Sequence, residues 1–400
     1  MTEHRIIVQK FGGTTTGDPR LRARIYQRIR ETVHEGYRVI AVVSAMGRKG
    51  APYATETLLG LLEYPGFICR RERDLLMSCG ESIAAVLIAT ELRASGIGCI
   101  ARSGFDAGII TDSEFGDARI LRIETDRLLA DMELFEVVVV AGFQGVSESG
   151  AITTLGRGGS DTSAIAIGAA LNAERVEIYT DTDGIFSADP RIVPSARFLK
   201  EVHPEDIRQM AWQGAKVLHP RAVELAIRHD IQTRIGRVDR SVSTVITQSF
   251  EYEAMITGIA CGPSVDQISV VLPNADDHAF ATVVFEAVAA AGISMDMFTL
   301  TENLLRFTTP VVSREQLTLA LGRLDAECSI RQNCVKVSIV GAGMHGMRGV
   351  MARFSRCLLD AGIRLIQTVD SHATISGLIR LEDAERAQII LHKEFIENPG

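Results

Sequence analysis

Thr154-Leu-Gly-Arg-Gly-Gly-Ser-Asp-Thr162, read together with Lys10-Phe-Gly-Gly-Thr14, decides how this chain folds. Each stretch follows a short apolar run and sets glycines around a charged side chain. Glycines let backbone N–H groups approach an anion closely, and a fixed cation beside them neutralises it. Two such loops, far apart in sequence, predict a phosphate site assembled from both ends of one domain. That arrangement suits phosphoryl transfer better than simple binding.

The segments around these loops have the texture of an α/β layer. Short runs rich in Val and Ile (Arg5–Val8, Arg38–Val43, Val137–Ala141, Val176–Thr180, Gln232–Ile235) each end at Gly, Ser, Asp or Thr. Helical patterns lie between them, as at Arg22–Glu35, Asp74–Ser95 and Thr162–Leu171, which predicts a mostly parallel sheet up to about residue 235. Beyond a boundary near Ser249–Ala254 a weak repeat appears. Gln267–Leu272, a helix over Ala281–Ala291, Gly292-Ile293 and Leu304–Val312 correspond to Lys336–Val340, Val350–Ala361, Gly362-Ile363 and Thr374–Arg380. Two tandem β-α-β-β-type units are the natural reading.

Composition narrows the function. The 400 residues are 46% hydrophobic and 23% charged with a net charge of −8, an ordinary globular profile without a basic footprint for nucleic acid. The N-terminus has no apolar targeting core, and Val137–Val140 belongs to a run far shorter than the roughly 20 residues that span a bilayer. Seven cysteines without a C-x-x-C pair suit a reduced, cytoplasmic protein with neither a disulfide framework nor a zinc site.

Each motif has a plain structural alternative. Lys10 with Gly12 and Gly13 reads as an anion loop, or as a turn with a snorkelling lysine. Ser160, Asp161 and Thr162 are all competent helix N-caps, but capping does not explain three glycines around Arg157, whose guanidinium can hold a carboxylate bidentately. Thr180-Asp-Thr-Asp-Gly184 with Asp189-Pro-Arg191 reads as a turn, or as oxygen ligands for a nucleotide or Mg²⁺ at a strand end. Lys216, in Gly214-Ala-Lys-Val-Leu-His-Pro220, carries little by itself, and His219 and His345 read as loop residues. Glu81 falls within an apolar helical pattern, where an unpaired carboxylate is costly, so it is either paired structurally or reads a substrate cation. Gly341-Ala-Gly343-Met-His-Gly346 matches a dinucleotide fingerprint. Too few residues follow it for that domain, and it belongs to the repeat, so NAD binding is rejected.

Taken in order, Lys10–Thr14, Thr154–Asp161, Thr180–Gly184 with Asp189–Arg191, and Gly214–Pro220 resemble aspartate kinases, and with the repeat the resemblance covers essentially the whole chain. It implies an amino acid kinase fold over 1–250, with helices on both faces of a mostly parallel sheet. Two small ferredoxin-like α+β ACT domains would follow, at 263–328 and 331–400. It implies transfer of the ATP γ-phosphoryl group, with Mg²⁺, to the β-carboxylate of L-aspartate, a carboxyl acceptor. The product, 4-phospho-L-aspartate, opens lysine, diaminopimelate, threonine and methionine synthesis. By matched position, Lys10, Arg157 and Asp161 are implied to be catalytic, with Asp161 orienting Lys10. Ser44, Glu81 and Arg157 are implied to hold aspartate, Glu81 on its ammonium. Lys10, Phe11, Gly12, Gly13, Ser160, Thr180, Asp181 and Lys216 are implied at the nucleotide, and no protein metal site is assigned. The ACT pair implies a feedback amino acid effector and a homodimer or higher homo-oligomer, with Asp370-Ser-His372 closer to diaminopimelate-type than to lysine-type enzymes. Two rivals stay open: another amino acid kinase, or an inactive sensor, which would have lost Lys10, Arg157 or Asp161.

Overall fold

The computed structural model describes residues 5–215, 218–248, 256–273, 278–322, 324, 327–344 and 348–398. The chain forms two compact units. One comprises Met1–Ile185, Phe198–Arg208 and Lys216–Phe250; the other comprises Phe186–Arg197, Gln209–Ala215 and Glu251–Gly400.

The first unit is built on eight strands: β1 (Ile6–Phe11), β2 (Arg38–Val43), β3 (Cys99–Arg102), β4 (Val137–Ala141), β5 (Arg175–Tyr179), β6 (Glu201–Val202), β7 (Thr233–Gly236) and β8 (Ser243–Ile246). Their order is β6-β8-β7-β5-β1-β2-β4-β3, and every pairing is parallel except β7 with β8. Unbroken Val/Ile runs form the central strands because both faces are covered. β2 and β4 start and stop where the sequence predicts. One face carries α1 (Pro19–His34) and α2 (Arg70–Ala94), packed on Phe11, Val39, Ala41, Val139 and Ala141. On the other face α3 (Gly159–Ala170) packs on β1 and contacts α4 (Pro220–Arg228). A separate sheet of four short strands (Ile120–Ile123, Ile109–Thr111, Gln144–Ser147, Ile152–Thr154, in that order) was not legible in the sequence.

α2 is long and apolar enough to cross a membrane, and half of its most apolar window is buried here. It buries Asp74 and Glu81, and Asp74 accepts bonds from Gly116 N (2.9 Å), Thr154 N (2.7 Å) and Thr154 Oγ1 (2.9 Å). It is therefore a core helix stitched to its neighbours.

The second unit holds one antiparallel sheet of six strands: β9 (Gly258–Val271), β10 (Asp296–Thr301), β11 (Leu304–Pro310), β12 (Cys328–Val340), β13 (Gln367–Asp370) and β14 (Thr374–Arg380). Their order is β10-β11-β9-β12-β14-β13. The two long central strands bring the repeats together. Gly258–Cys261 pairs with Val337–Val340, in the half containing β14, whereas Ser264–Val270 pairs with Cys328–Val335, in the half containing β11. The second repeat thus gains a strand from before the first. Each half has its own core: Ile268, Val284, Val288 and Phe307 in one, Ile339, Phe354, Leu358 and Ile379 in the other.

The Gly-Ile pairs of the repeat end the helices α5 (His278–Ala290) and α6 (Val350–Asp360) identically. Gly292 and Gly362 both have φ +70°, and the next N–H reaches back five residues, Ile293 to Val288 O (3.1 Å) and Ile363 to Leu358 O (2.9 Å). This is the left-handed C-terminal stop that glycine adopts without penalty. The dinucleotide-like run at 341–346 follows β12, which is antiparallel to both neighbours, so no parallel crossover exists there. Its Gly346, like His345, lies outside the described residues.

Candidate active site

Strand alternation settles which residues after the first apolar run can meet. Phe11 points into the core shared with α1 and α2, its ring stacked on Tyr179 at 5.2 Å. Lys10 therefore points to the opposite face, towards α3. Its Nζ lies 2.6 Å from Asp161 Oδ1, and both side chains are largely buried. Asp161 sits in the first turn of α3, where the helix dipole favours a carboxylate.

The loop entering α3 owes its shape to glycine. Gly156 and Gly158 have φ +71° and +68°, and Gly158 is an N-cap without a side-chain cap bond. A Cβ on Gly158 would overlap the His219 side chain. Burial, with Arg221 beside it, holds the His219 imidazole below its usual pKa, so it packs as a neutral ring. Arg221 donates to Leu155 O in the same loop (3.4 Å) and to Asp117 Oδ2 in the turn beside Gly156 (2.6 Å). The uncapped start of a twelve-residue helix offers backbone donors and a positive dipole end to an anion.

The third wall is the turn after β2. Ser44 N donates to Phe11 O (3.1 Å), which fixes the turn against β1. A Cβ on Gly13 would come within 2.5 Å of Ala45 O, and one on Gly80 within 2.8 Å of both Ala45 Cβ and Tyr53 O. These close approaches bring α2 to the turn, and Ala45 N donates to Glu81 Oε1 (3.0 Å). Glu81 is only 3% exposed and its Oε2 is buried without a partner among the described residues. Burial pushes the carboxyl up to about 8, opposed by the Ala45 bond.

These groups line one cleft of about 600 Å³. It lies at the carboxyl ends of the strands around β1, where strand order reverses and open α/β sheets bind ligands. The structure brings Lys10, Gly13, Ser44, Glu81, Arg157, Ser160 and Asp161 together there. Phe11 contributes no side chain to it. Gly12 N donates to Tyr179 O (3.2 Å), which ties the loop to β5. Thr180 and Asp181 lie at the end of β5 and do not line the cleft; Thr180 donates to Asp181, and Asp181 pairs with Arg48 at 2.6 Å. Lys216 lies outside the described residues. Asp189 and Arg191 bond one another within the second unit, where neighbouring Ala188 and Val193 join the core, and neither lines the cleft. Sequence reasoning passed over Arg73 and Glu56, which also line the cleft, and His219 behind Gly158.

The sequence matches the amino acid kinase family over residues 5–237 and the ACT domain over residues 337–395. It is 41% identical to aspartokinase 1 of Bacillus subtilis, over 98% of this chain and 99% of that protein. The chain belongs to the aspartokinase family. The aspartokinase of Geobacillus stearothermophilus is 37% identical over 98% of this chain and 97% of its own length. Among solved structures, E. coli aspartokinase III in complex with aspartate and ADP superposes with a TM-score of 0.80 at 25% identity, covering 98% of this chain and 99% of that one. Aspartate kinase activity with ACT regulation goes with membership of the family.

Proposed function

We propose that the cleft around Lys10 transfers the γ-phosphoryl group of ATP to the β-carboxylate of L-aspartate, giving 4-phospho-L-aspartate. The observation that carries this reading is the convergence of Lys10, Ser44, Glu81, Arg157 and Asp161 in one cleft, with Lys10 and Asp161 ion-paired at 2.6 Å. A carboxylate is already a nucleophile at neutral pH, so no general base is required. The difficulty is to bring two anions together, which makes catalysis a matter of positioning and of fixed positive charge.

Lys10 supplies that charge, and Asp161 holds its ammonium in place. Arg157 clamps a substrate carboxylate, Ser44 offers a hydroxyl beside it, and Glu81 takes the α-ammonium. The glycine loop at Gly12-Gly13 and the start of α3 at Ser160 face the phosphates, while Thr180 and Asp181, beyond the cleft, and Lys216 serve the nucleotide. Mg²⁺ would neutralise charge on the phosphates. It commonly takes only one or two protein carboxylates and is held otherwise by phosphate and water.

The catalytic domain is assigned to 1–250 and the ACT domains to 263–328 and 331–400, the second completed by Gly258–Cys261. E. coli aspartokinase III also forms a complex with lysine and aspartate. An end-product amino acid bound by the ACT domains, within a homodimer or larger assembly, is accordingly the feedback signal here. The test is an assay with MgATP and L-aspartate in which hydroxylamine traps the acyl phosphate. Aspartate-dependent hydroxamate should appear and fall at least about 10²-fold in kcat for Lys10→Ala. Lysine, threonine, methionine and meso-diaminopimelate, added in turn, identify the effector. ADP release with another amino acid but not with aspartate would overturn the substrate.

A further inference from the structure

We propose that Glu81 accepts the substrate's α-ammonium by giving up its own proton, so that each aspartate bound near neutral pH expels one proton to solvent. This deepens the reading of the cleft as an aspartate site and rests on it. The argument begins with what surrounds the carboxyl group. Glu81 is 3% exposed, one oxygen takes a single bond from Ala45 N, and the other is buried without a partner among the described residues.

Among the described residues no cation is paired with it. Lys10 is held by Asp161 at 2.6 Å, and Arg48, on the turn after β2, pairs with Asp181 at 2.6 Å. Arg157, before α3, and Arg73, on α2 itself, line the same cleft without a hydrogen bond or ion pair to Glu81. Asp74 is committed to Gly116 and Thr154, and Glu56, on the short helix before α2, would only disfavour a second negative charge. A buried, singly bonded carboxylate without a counter-charge is costly, so the empty site holds the neutral acid. Burial does raise the group to about 8.

Arrival of an ammonium inverts the balance. A neutral acid leaves the incoming cation uncompensated, whereas a carboxylate pairs with it and uses the idle Oε2. The step is Glu81–COOH with substrate –NH₃⁺ giving Glu81–COO⁻ paired with –NH₃⁺, and H⁺ passing to solvent. The site thereby demands a positive charge as well as a shape, and a dicarboxylate lacking the amine gains nothing from Glu81.

The experiment is calorimetric titration of L-aspartate into the full-length protein with the non-hydrolysable analogue Mg–AMPPNP, in buffers of different ionisation enthalpy. About 0.9 proton per aspartate should be released at pH 7, falling towards zero by pH 9. Glu81→Gln should bind at least about tenfold more weakly and release none. In steady state KM for aspartate should fall about fiftyfold from pH 6 to pH 8 with kcat unchanged. Saturable binding without proton release, or release that survives in Glu81→Gln, overturns the inference and leaves the substrate assignment standing. Absence of aspartate binding overturns both. The wild-type buffer series decides the matter even if the variant folds poorly.

Discussion

A carboxyl group kept neutral by burial leaves a mark on stability whether or not substrate is present. Glu81 ionises near 4.5 in the unfolded chain and at about 8 in the folded one. Its contribution is therefore intact below 4.5, is eroded as pH rises through that window, and levels off above 8. Glutamine, which cannot ionise, escapes this loss. In denaturant unfolding of the catalytic unit, Glu81→Gln should gain on the wild type by about 3 kcal/mol between pH 5.5 and pH 8. Parallel pH profiles for the two proteins would mean that the folded protein holds the ionised form. Glu81 was legible because a lone carboxylate in an apolar helical pattern demands a reason. Phe11 shows the limit at this scale. The motif presents it as Lys10's neighbour, yet the two point to opposite faces of β1, and only Lys10 reaches the cleft.

At the scale of elements, the turn into α3 depends on a side chain far away in sequence. Gly158 combines φ +68° with a Cα against which His219 is packed. Gly158→Ala should therefore displace Arg157 and Asp161 and lower kcat/KM by about 10²-fold, since left-handed strain and overlap together cost on the order of 1–3 kcal/mol. Removing the obstruction should restore part of it, so Gly158→Ala/His219→Ala should exceed Gly158→Ala in activity, a non-additivity read directly from a double-mutant cycle. Equal loss in the single and double variants would show that His219 does not shape the loop. The sequence marked the three glycines but not His219, because what fixes the contact is a missing Cβ, which has no signature of its own. The same contrast governs the strands. Arg38–Val43 and Val137–Ala141 announced themselves as unbroken apolar runs buried on both faces. Ile109–Thr111 and Ile152–Thr154 are three residues each, too short to display any period, and their sheet became visible only in the fold.

For the whole chain, the route of the backbone matters more than its division into domains. The repeat after residue 255 was readable because helix, Gly-Ile stop and strand recur in the same order. That Gly258–Cys261 completes the sheet of the second repeat was not, because register between distant strands is set by pairing and not by local pattern. The excursions 186–197 and 209–215 were equally hidden, since both lie before residue 250 yet fold with the second unit. Ala188 and Val193 share a core with Ile259, Val337 and Phe354. Ser187 Oγ lies 2.9 Å from the buried His392 Nε2, whose other nitrogen is 3.0 Å from Glu397 Oε1, and Gln213 Oε1 accepts from Ser338 Oγ at 3.1 Å. A fragment ending at Phe250 keeps the eight-stranded sheet and the residues lining the cleft but leaves these two segments without the groups that bury them. It should consequently melt about 10 °C or more below the full chain's catalytic unit and be cleaved preferentially within 186–197 under limited proteolysis. Co-expression with residues 251–400 should restore protection, because the missing partners return even without the covalent link. A fragment that melts with the full-length protein and resists cleavage there would show that the excursions are held by the first unit, and the two units would have to be redrawn.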